Sequence, residues 1–234
     1  MRISFAQIAF CFFLLISPGI KAQDFHKISL YFGVHRTEAM GSYKTYLEDY
    51  DSRPDRYGLY GGILFNPMPK LSYNSPLNIG LEMGGNGWGS ELAQNFYGAT
   101  YDNHFRSFYT NFVARYRPFA GPVKVSPFLD VFGGPMWMSS VVRELVSQDE
   151  YRQIFKFGRS TKNYGMGAGA GLRRRKHNGD HQFIDIGIYY QNVERVASVR
   201  RKTIYLDQSD NADYALEYIK PNTWKVKLSL TGFL

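Results

Sequence analysis

A single cysteine, Cys11, stands in the 234 residues of this chain, and it falls in a segment that reads as an export leader. Residues 1–22 place Arg2 ahead of an apolar core from Ala6 to Ile16, then Ser17-Pro18-Gly19 before Ile20-Lys21-Ala22, the three-part order of a signal peptide. Cleavage is expected after Ala22, so the mature domain, residues 23–234, carries no thiol. Disulfides, thiolate metal sites and cysteine nucleophiles are excluded together. Phe10 also denies Cys11 the small residue that a lipoprotein cleavage site needs immediately before its cysteine.

Long apolar runs are missing as well. The leader core is about a dozen residues, short of the ~20 that carry a helix across a bilayer. Between Gln23 and Leu234 no amphipathic helix of ordinary length is predicted. Charge of one sign is not concentrated: without Arg2 and Lys21, 28 basic residues become 26 against 20 acidic, and the one dense run, Arg173-Arg174-Arg175-Lys176, sits beside a turn. An exported chain with no recognition motif around that run is not a nucleic-acid binder. The mean hydropathy of −0.34 argues against a helical membrane protein but not against a barrel with a polar inner face.

What the chain does contain is alternation, in eight segments. Ile28 to Arg36 sets Ile28, Leu30, Phe32 and Val34 against Ser29, Tyr31, Gly33 and His35. The second, Gly58 to Phe65, is weaker, with Leu59, Ile63 and Phe65 in phase; the third opposes Leu77, Ile79, Leu81 and Met83 to Asn78, Gly80, Glu82 and Gly84. Arg106 to Arg117 opposes Phe108, Phe112 and Tyr116 to Tyr109, Asn111, Arg115 and Arg117, and Val125 to Met138 opposes Leu129, Val131 and Trp137 to Phe128, Asp130, Phe132 and Met136. The sixth places Tyr164, Met166 and Leu172 against an unbroken column of Gly165, Gly167, Gly169 and Gly171. The seventh sets Ile184, Ile186 and Ile188 against Asp185, Gly187 and Tyr189. In the eighth, Trp224, Val226, Leu228, Leu230 and Leu234 oppose Lys225, Lys227, Ser229 and Thr231. Most segments are near the ~9–11 residues that cross a hydrocarbon layer when tilted.

The connections alternate in length. Long ones span 37–57, 89–105, 139–162 and 197–222; short ones hold Pro67, Pro69 and Pro76, the run Phe119-Ala120-Gly121-Pro122, and an Asn178-Gly179 pair suited to a tight hairpin. This predicts an all-β fold, an eight-stranded antiparallel transmembrane β-barrel with long extracellular loops and short periplasmic turns. Trp88, Trp137 and Trp224 then fall at the extracellular rim, where aromatic girdles meet headgroups. The rival architecture is a soluble lipid-binding barrel, whose apolar parity faces inward. It is disfavoured by four alternate glycines and six charged residues on the opposite parity.

Eight strands enclose only enough space for side chains to fill. Glu82, Asp130 and Asp185 are therefore expected to pair inside with Arg115, Arg117, Lys225, Lys227 and Arg173, giving a plugged core. The glycine column makes room for Phe128, Phe132, Met136 and Tyr189 from the flanking strands; it lacks the Gly-Lys-Ser/Thr of a phosphate loop. No metal or cofactor is called for. His177 and His181 bracket a turn, and His35 faces a polar interior. The grouping nearest to a hydrolase triad is Asp102, His104 and Ser107 at a rim. Tyrosines and charges crowd the first and fourth long loops, the residue types of protein or glycan contacts.

On the leader, the eight-strand rhythm and the C-terminal row Val226, Leu228, Leu230 and Leu234, the chain resembles small outer-membrane barrels of the OmpA/OmpX type, and is similar in particular to the PorT-like barrel families of Bacteroidota. Phe233, penultimate and out of phase with that row, departs from the usual terminal aromatic. The resemblance implies an outer-membrane location in a Gram-negative bacterium, contact with outer-membrane lipid, lipopolysaccharide and the barrel-assembly machinery, and membership of an outer-membrane protein complex. It brings no catalytic residues. The expected role is a non-enzymatic structural or scaffold subunit, an accessory of a secretion or surface machinery; the alternatives are a narrow passive channel or a lipid-modifying barrel hydrolase.

Overall fold

The computed structural model describes residues 28–48, 55–67, 76–94, 100–118, 124–147, 150–175, 181–200, 205–206 and 212–233. The leader, the Asn178-Gly179 turn, His26, His177 and Leu234 lie outside these residues. Eight strands form the wall: β1 (Ile28–Ala39), β2 (Asp55–Phe65), β3 (Leu77–Gln94), β4 (Thr100–Tyr116), β5 (Val125–Ser147), β6 (Glu150–Arg175), β7 (His181–Val193) and β12 (Thr223–Phe233). Each pairs antiparallel with its neighbours in chain order. The first and last, β1 and β12, close the seam from Ser29↔Phe233 to Ala39↔Thr223. Closure gives each wall strand a hydrogen-bonded neighbour on both sides and leaves no open edge around the wall.

The period-two pattern decides which way each face points. Apolar residues point outward: Phe32 is 63 % exposed, Phe112 73 % and Ile188 59 %, while the charged residues of the opposite parity lie inside at 2–4 %. This is a soluble protein turned inside out, and it removes the lipid-binding soluble barrel from consideration. A continuous outer belt of Val, Ile, Leu, Phe and Met is stable only against hydrocarbon.

Two expectations from sequence are corrected. Strands β3, β5 and β6 run for 18, 23 and 26 residues, so most of the connections expected at 89–105 and 139–162 are strand. Register continues between β4 and β5 to Tyr101↔Glu144 and between β5 and β6 to Ser147↔Glu150. The strands therefore rise as a four-stranded sheet above the belt. Beyond Trp137 both faces of this sheet leave the hydrocarbon, and the alternation that marks a membrane strand has no reason to persist.

The second correction concerns the ends of the barrel. The first long connection holds a seven-residue helix, α1 (Ser42–Glu48), and the last holds two short strand pairs, β8 (Val196–Val199) with β11 (Leu216–Ile219) and β9 (Tyr205–Leu206) with β10 (Ala212–Asp213). Tyr43, Tyr46 and Leu47, at helical spacing, pack on Ala39, Val196 and Ile219. Tyr46 donates to the Val199 carbonyl at 3.1 Å and shares a 2.9 Å hydrogen bond with Ser198. Burial pushes the Tyr43 hydroxyl well above the usual phenol range, so it stays neutral. This small core closes over the long-connection end of the barrel.

Candidate functional site

The interior is built as three tiers of side chains, each tier a consequence of which residues share the inward parity. Nearest the short-turn end, Arg115 Nε and Nη2 donate to the two carboxylate oxygens of Asp130 at 2.8 Å, and Arg115 Nη1 reaches Asp185 at 3.0 Å. Arg117 Nη2 donates to Asp185 at 2.7 Å, and Thr231 donates to the same carboxylate at 2.7 Å. Both guanidinium groups lie over the Phe128 ring, at 4.3 and 5.1 Å, and Arg117 also lies over Phe183 at 4.5 Å. Two carboxylates and two guanidiniums neutralise each other there. Removing any one leaves the buried group with an unbalanced unit charge.

The middle tier ties β12 to β3. Lys227 Nζ donates to Glu82 Oε1 at 2.5 Å while Tyr31 donates to Oε2 at 3.2 Å. The ammonium sits 4.4 Å from the Tyr189 ring and 4.7 Å from the Tyr60 ring, so its remaining faces meet aromatic π-clouds. Above it, His35 Nδ1 and Thr37 share a 2.8 Å bond, Gln191 donates to Asn163 at 2.8 Å, and Thr223 donates to Gln191 at 3.3 Å.

Lys225 departs from expectation. Two residues from Lys227 on the same face, it is 3 % exposed and finds no carboxylate among the described residues; its ammonium lies 4.1 Å above the Tyr109 ring. The inward parity was set by the alternation, but the height of Glu82 on β3 serves Lys227 alone. Arg173 is half-buried at the end of β6, where its amide bonds the Lys124 carbonyl.

The glycine column is a trough across which β5 and β7 touch. Register places Asp130, Gly167 and Tyr189 in one row, and Tyr189 donates to Asp130 at 2.8 Å over the glycine between them. A Cβ at Gly165 would run into the Phe132 ring, one at Gly167 into Tyr189, one at Gly169 into Phe128, and one at Gly171 into Asp185 and Arg117. Sequence reasoning saw the room made for Phe128, Phe132 and Tyr189. It missed Tyr31, Thr231 and Gln191 as partners in the polar network, although their parity, the same as that of the charges, carried the signal.

On the outer surface, Trp137 is 44 % exposed against Phe108, and Trp224 is 43 % exposed against Tyr190 at 5.2 Å between ring centroids. The backbone of Trp88 lies in β3; its side chain is outside the described residues. Val226, Leu228 and Leu230 face outward in the belt. Of the rim group, Ser107 is buried, at 5 % exposure, and the side chains of Asp102 and His104 are outside the described residues.

An outward apolar belt around a charged, aromatic-filled lumen defines a small membrane-spanning β-barrel of the outer-membrane type. No protein-family model and no curated protein matches the chain. Among solved structures it is similar to Neisserial surface protein A, at 7 % identity and a TM-score of 0.45, over 88 % of this chain and 97 % of that one. It is also similar to Ail, the attachment invasion locus protein of Yersinia pestis, at 10 % identity and 0.44, over 90 % and 99 %. The outer membrane protease OmpT of Escherichia coli gives 9 % and 0.42, over 93 % and 100 %.

Proposed function

We propose that the chain is a non-enzymatic barrel of the Gram-negative outer membrane, with its long-connection end outside the cell, that acts as a scaffold presenting a surface to a protein partner. The observation that carries this reading is the filled lumen beneath a raised sheet. Arg115 on β4 and Arg117 just past its end reach Asp185 on β7, and Lys227 on β12 reaches Glu82 on β3, so side chains from non-adjacent strands meet across the lumen at two heights. The α1 core then covers the end. With the interior occupied, the upper parts of β3–β6 are the surface left for recognition. The resemblance of the sequence to PorT-like barrels supports a role as an accessory of a secretion or surface machinery, and the outward row Val226, Leu228 and Leu230 suits engagement by the assembly machinery.

Photo-crosslinking from positions 152 and 159 on β6, in intact cells, tests the scaffold reading. A discrete crosslinked protein is expected from these positions and not from Ala168 in the belt. Labelling that is the same at all three positions refutes it. Planar-bilayer recordings test the filled lumen: no stepwise conductance is expected from the wild type, and reproducible ion-conducting steps replace the scaffold reading with that of a narrow channel.

A further inference from the structure

The charges inside the barrel do not balance. Among the described residues, the buried cations are Arg115, Arg117, Lys225 and Lys227, and the buried anions are Glu82, Asp130 and Asp185. The three carboxylates are taken up by Arg115, Arg117 and Lys227. Lys225 is left with a unit of positive charge, and the half-buried Arg56 on β2, in register with Thr37, adds a cation rather than an acid. Unused donors gather at the same height. Asn86 Nδ2 donates to Thr37 Oγ1 at 3.3 Å, and the Thr37 proton is then free for His35 Nδ1 at 2.8 Å. The imidazole carries its hydrogen on Nε2, which has no partner among the described residues, and neither does the Tyr109 hydroxyl. Glycine makes the room: a Cβ at Gly58 would come within 2.6 Å of His35 Nε2, and one at Gly84 within 2.5 Å of the Tyr109 oxygen. These two glycines are diagonal neighbours across the β2–β3 pair, a spacing of about 7–8 Å. The Lys225 ammonium lies 4.1 Å from the Tyr109 ring centroid.

We propose that this part of the lumen binds one small monovalent anion, such as chloride, held by Lys225 Nζ, His35 Nε2 and the Tyr109 hydroxyl. The three groups are all donors, so what they bind is an acceptor. It carries charge because a buried ammonium faced only by a π-cloud keeps most of its desolvation cost, which a water molecule does not cancel. Asn86 Oδ1, the unpartnered acceptor of this cluster, is neutral and leaves the charge standing. The imbalance among the buried groups is one unit, so the ion is monovalent. It is small because the pair Lys227 and Glu82 closes the space below, and Gln191 and Thr223 fill the lumen beside Thr37. Bound there, the ion joins β12, β1 and β4 at a level where no carboxylate among the described residues does so.

Unfolding of the purified full-length protein in neutral detergent, with chloride replacing gluconate at constant ionic strength, tests this. The wild-type midpoint is expected to rise with the logarithm of chloride concentration once the site fills. Lys225→Met keeps the reach of the side chain without its charge. It is expected to be at least as stable as the wild type in gluconate, with a midpoint that does not respond to chloride. Tyr109→Phe removes one donor and is expected to need at least about tenfold more chloride for the same rise, the ratio that one hydrogen bond to a charged partner supplies. Heat-modified gel migration verifies that each variant is folded. Crystals grown with bromide in place of chloride give the position: one anomalous peak is expected within hydrogen-bonding distance of Lys225 Nζ, and none there in Lys225→Met. A chloride response that is the same in the wild type and Lys225→Met overturns the proposal, as does a water molecule at this point in bromide. A bromide peak without a chloride response marks an adventitious ion only and overturns it as well.

Discussion

Replacing Gly167 by alanine adds one methyl group to a site that Tyr189 already fills. The new Cβ falls about 2.5 Å from Tyr189 Cγ and Cε1, well inside van der Waals contact, and the obstacle is a ring pinned at both ends. Its hydroxyl donates to Asp130, and its face receives the Lys227 ammonium at 4.4 Å. Overpacking of a tight interior costs about 1–3 kcal/mol. Swinging the ring away also breaks a hydrogen bond to a buried carboxylate, for about 1.5–3 kcal/mol more. The expected loss is about 3–5 kcal/mol in denaturant unfolding of the protein in lysophospholipid micelles, followed by tryptophan emission. Tyr189→Ala alone leaves a cavity and an under-bonded Asp130, at about 3–5 kcal/mol. The double variant is the decisive case. With the ring gone, the alanine has room, so the pair is expected to cost no more than Tyr189→Ala alone, a coupling of at least about 3 kcal/mol. Additive losses refute the trough as the reason for the glycine, and so does a Gly167→Ala variant as stable as Gly87→Ala.

The Asp185→Asn substitution leaves Arg117 without its carboxylate and Arg115 with one partner fewer, and is expected to cost about 3–5 kcal/mol in the same unfolding experiment. Arg36→Gln, which breaks an exposed pair with Asp55, is expected to cost under about 1 kcal/mol. Tyr46→Phe removes the bonds to Ser198 and Val199 that hold α1 over the barrel; amide exchange within residues 42–48 should accelerate about fivefold while barrel unfolding is unchanged.

The strands were legible because one physical fact, a wall with hydrocarbon outside and side chains inside, imposes a two-residue period on every segment that crosses it. Phe32 against Tyr31 and Ile186 against Asp185 need no further context. The same reasoning loses force where the environment stops being two-sided. Ser139-Ser140-Val141-Val142 continues β5 without alternating, because above the membrane both faces of the sheet leave the hydrocarbon. Helix α1 was invisible for a different reason: seven residues give barely two turns of pattern, and what holds it, Val196 and Ile219, is about 150 residues or more away in the chain. Parity predicted that Lys225 and Lys227 enter the lumen together. It could not predict that only Lys227 meets Glu82, because partner choice depends on how far each strand is shifted along its neighbours.

That last dependence bears on how the seam is checked when the cylinder shuts. Strands β1 and β12 meet at the end of assembly, and a slip of two residues would preserve every inward and outward assignment, so hydrophobicity alone is blind to it. A slip of that size moves each β12 side chain by about 7 Å. In one direction it presents Ser229 to Glu82 and strands the carboxylate. In the other it presents Lys225, a second ammonium on the same face, and Glu82 alone would accept the error. Tyr60 on β2 resolves the ambiguity, since its hydrogen bond to Ser229 crosses the same seam and the slip that brings Lys225 to Glu82 sets Lys227 against it instead. Two contacts of different chemistry, set two residues apart on the last strand, thus work as a two-digit combination that only the native alignment satisfies.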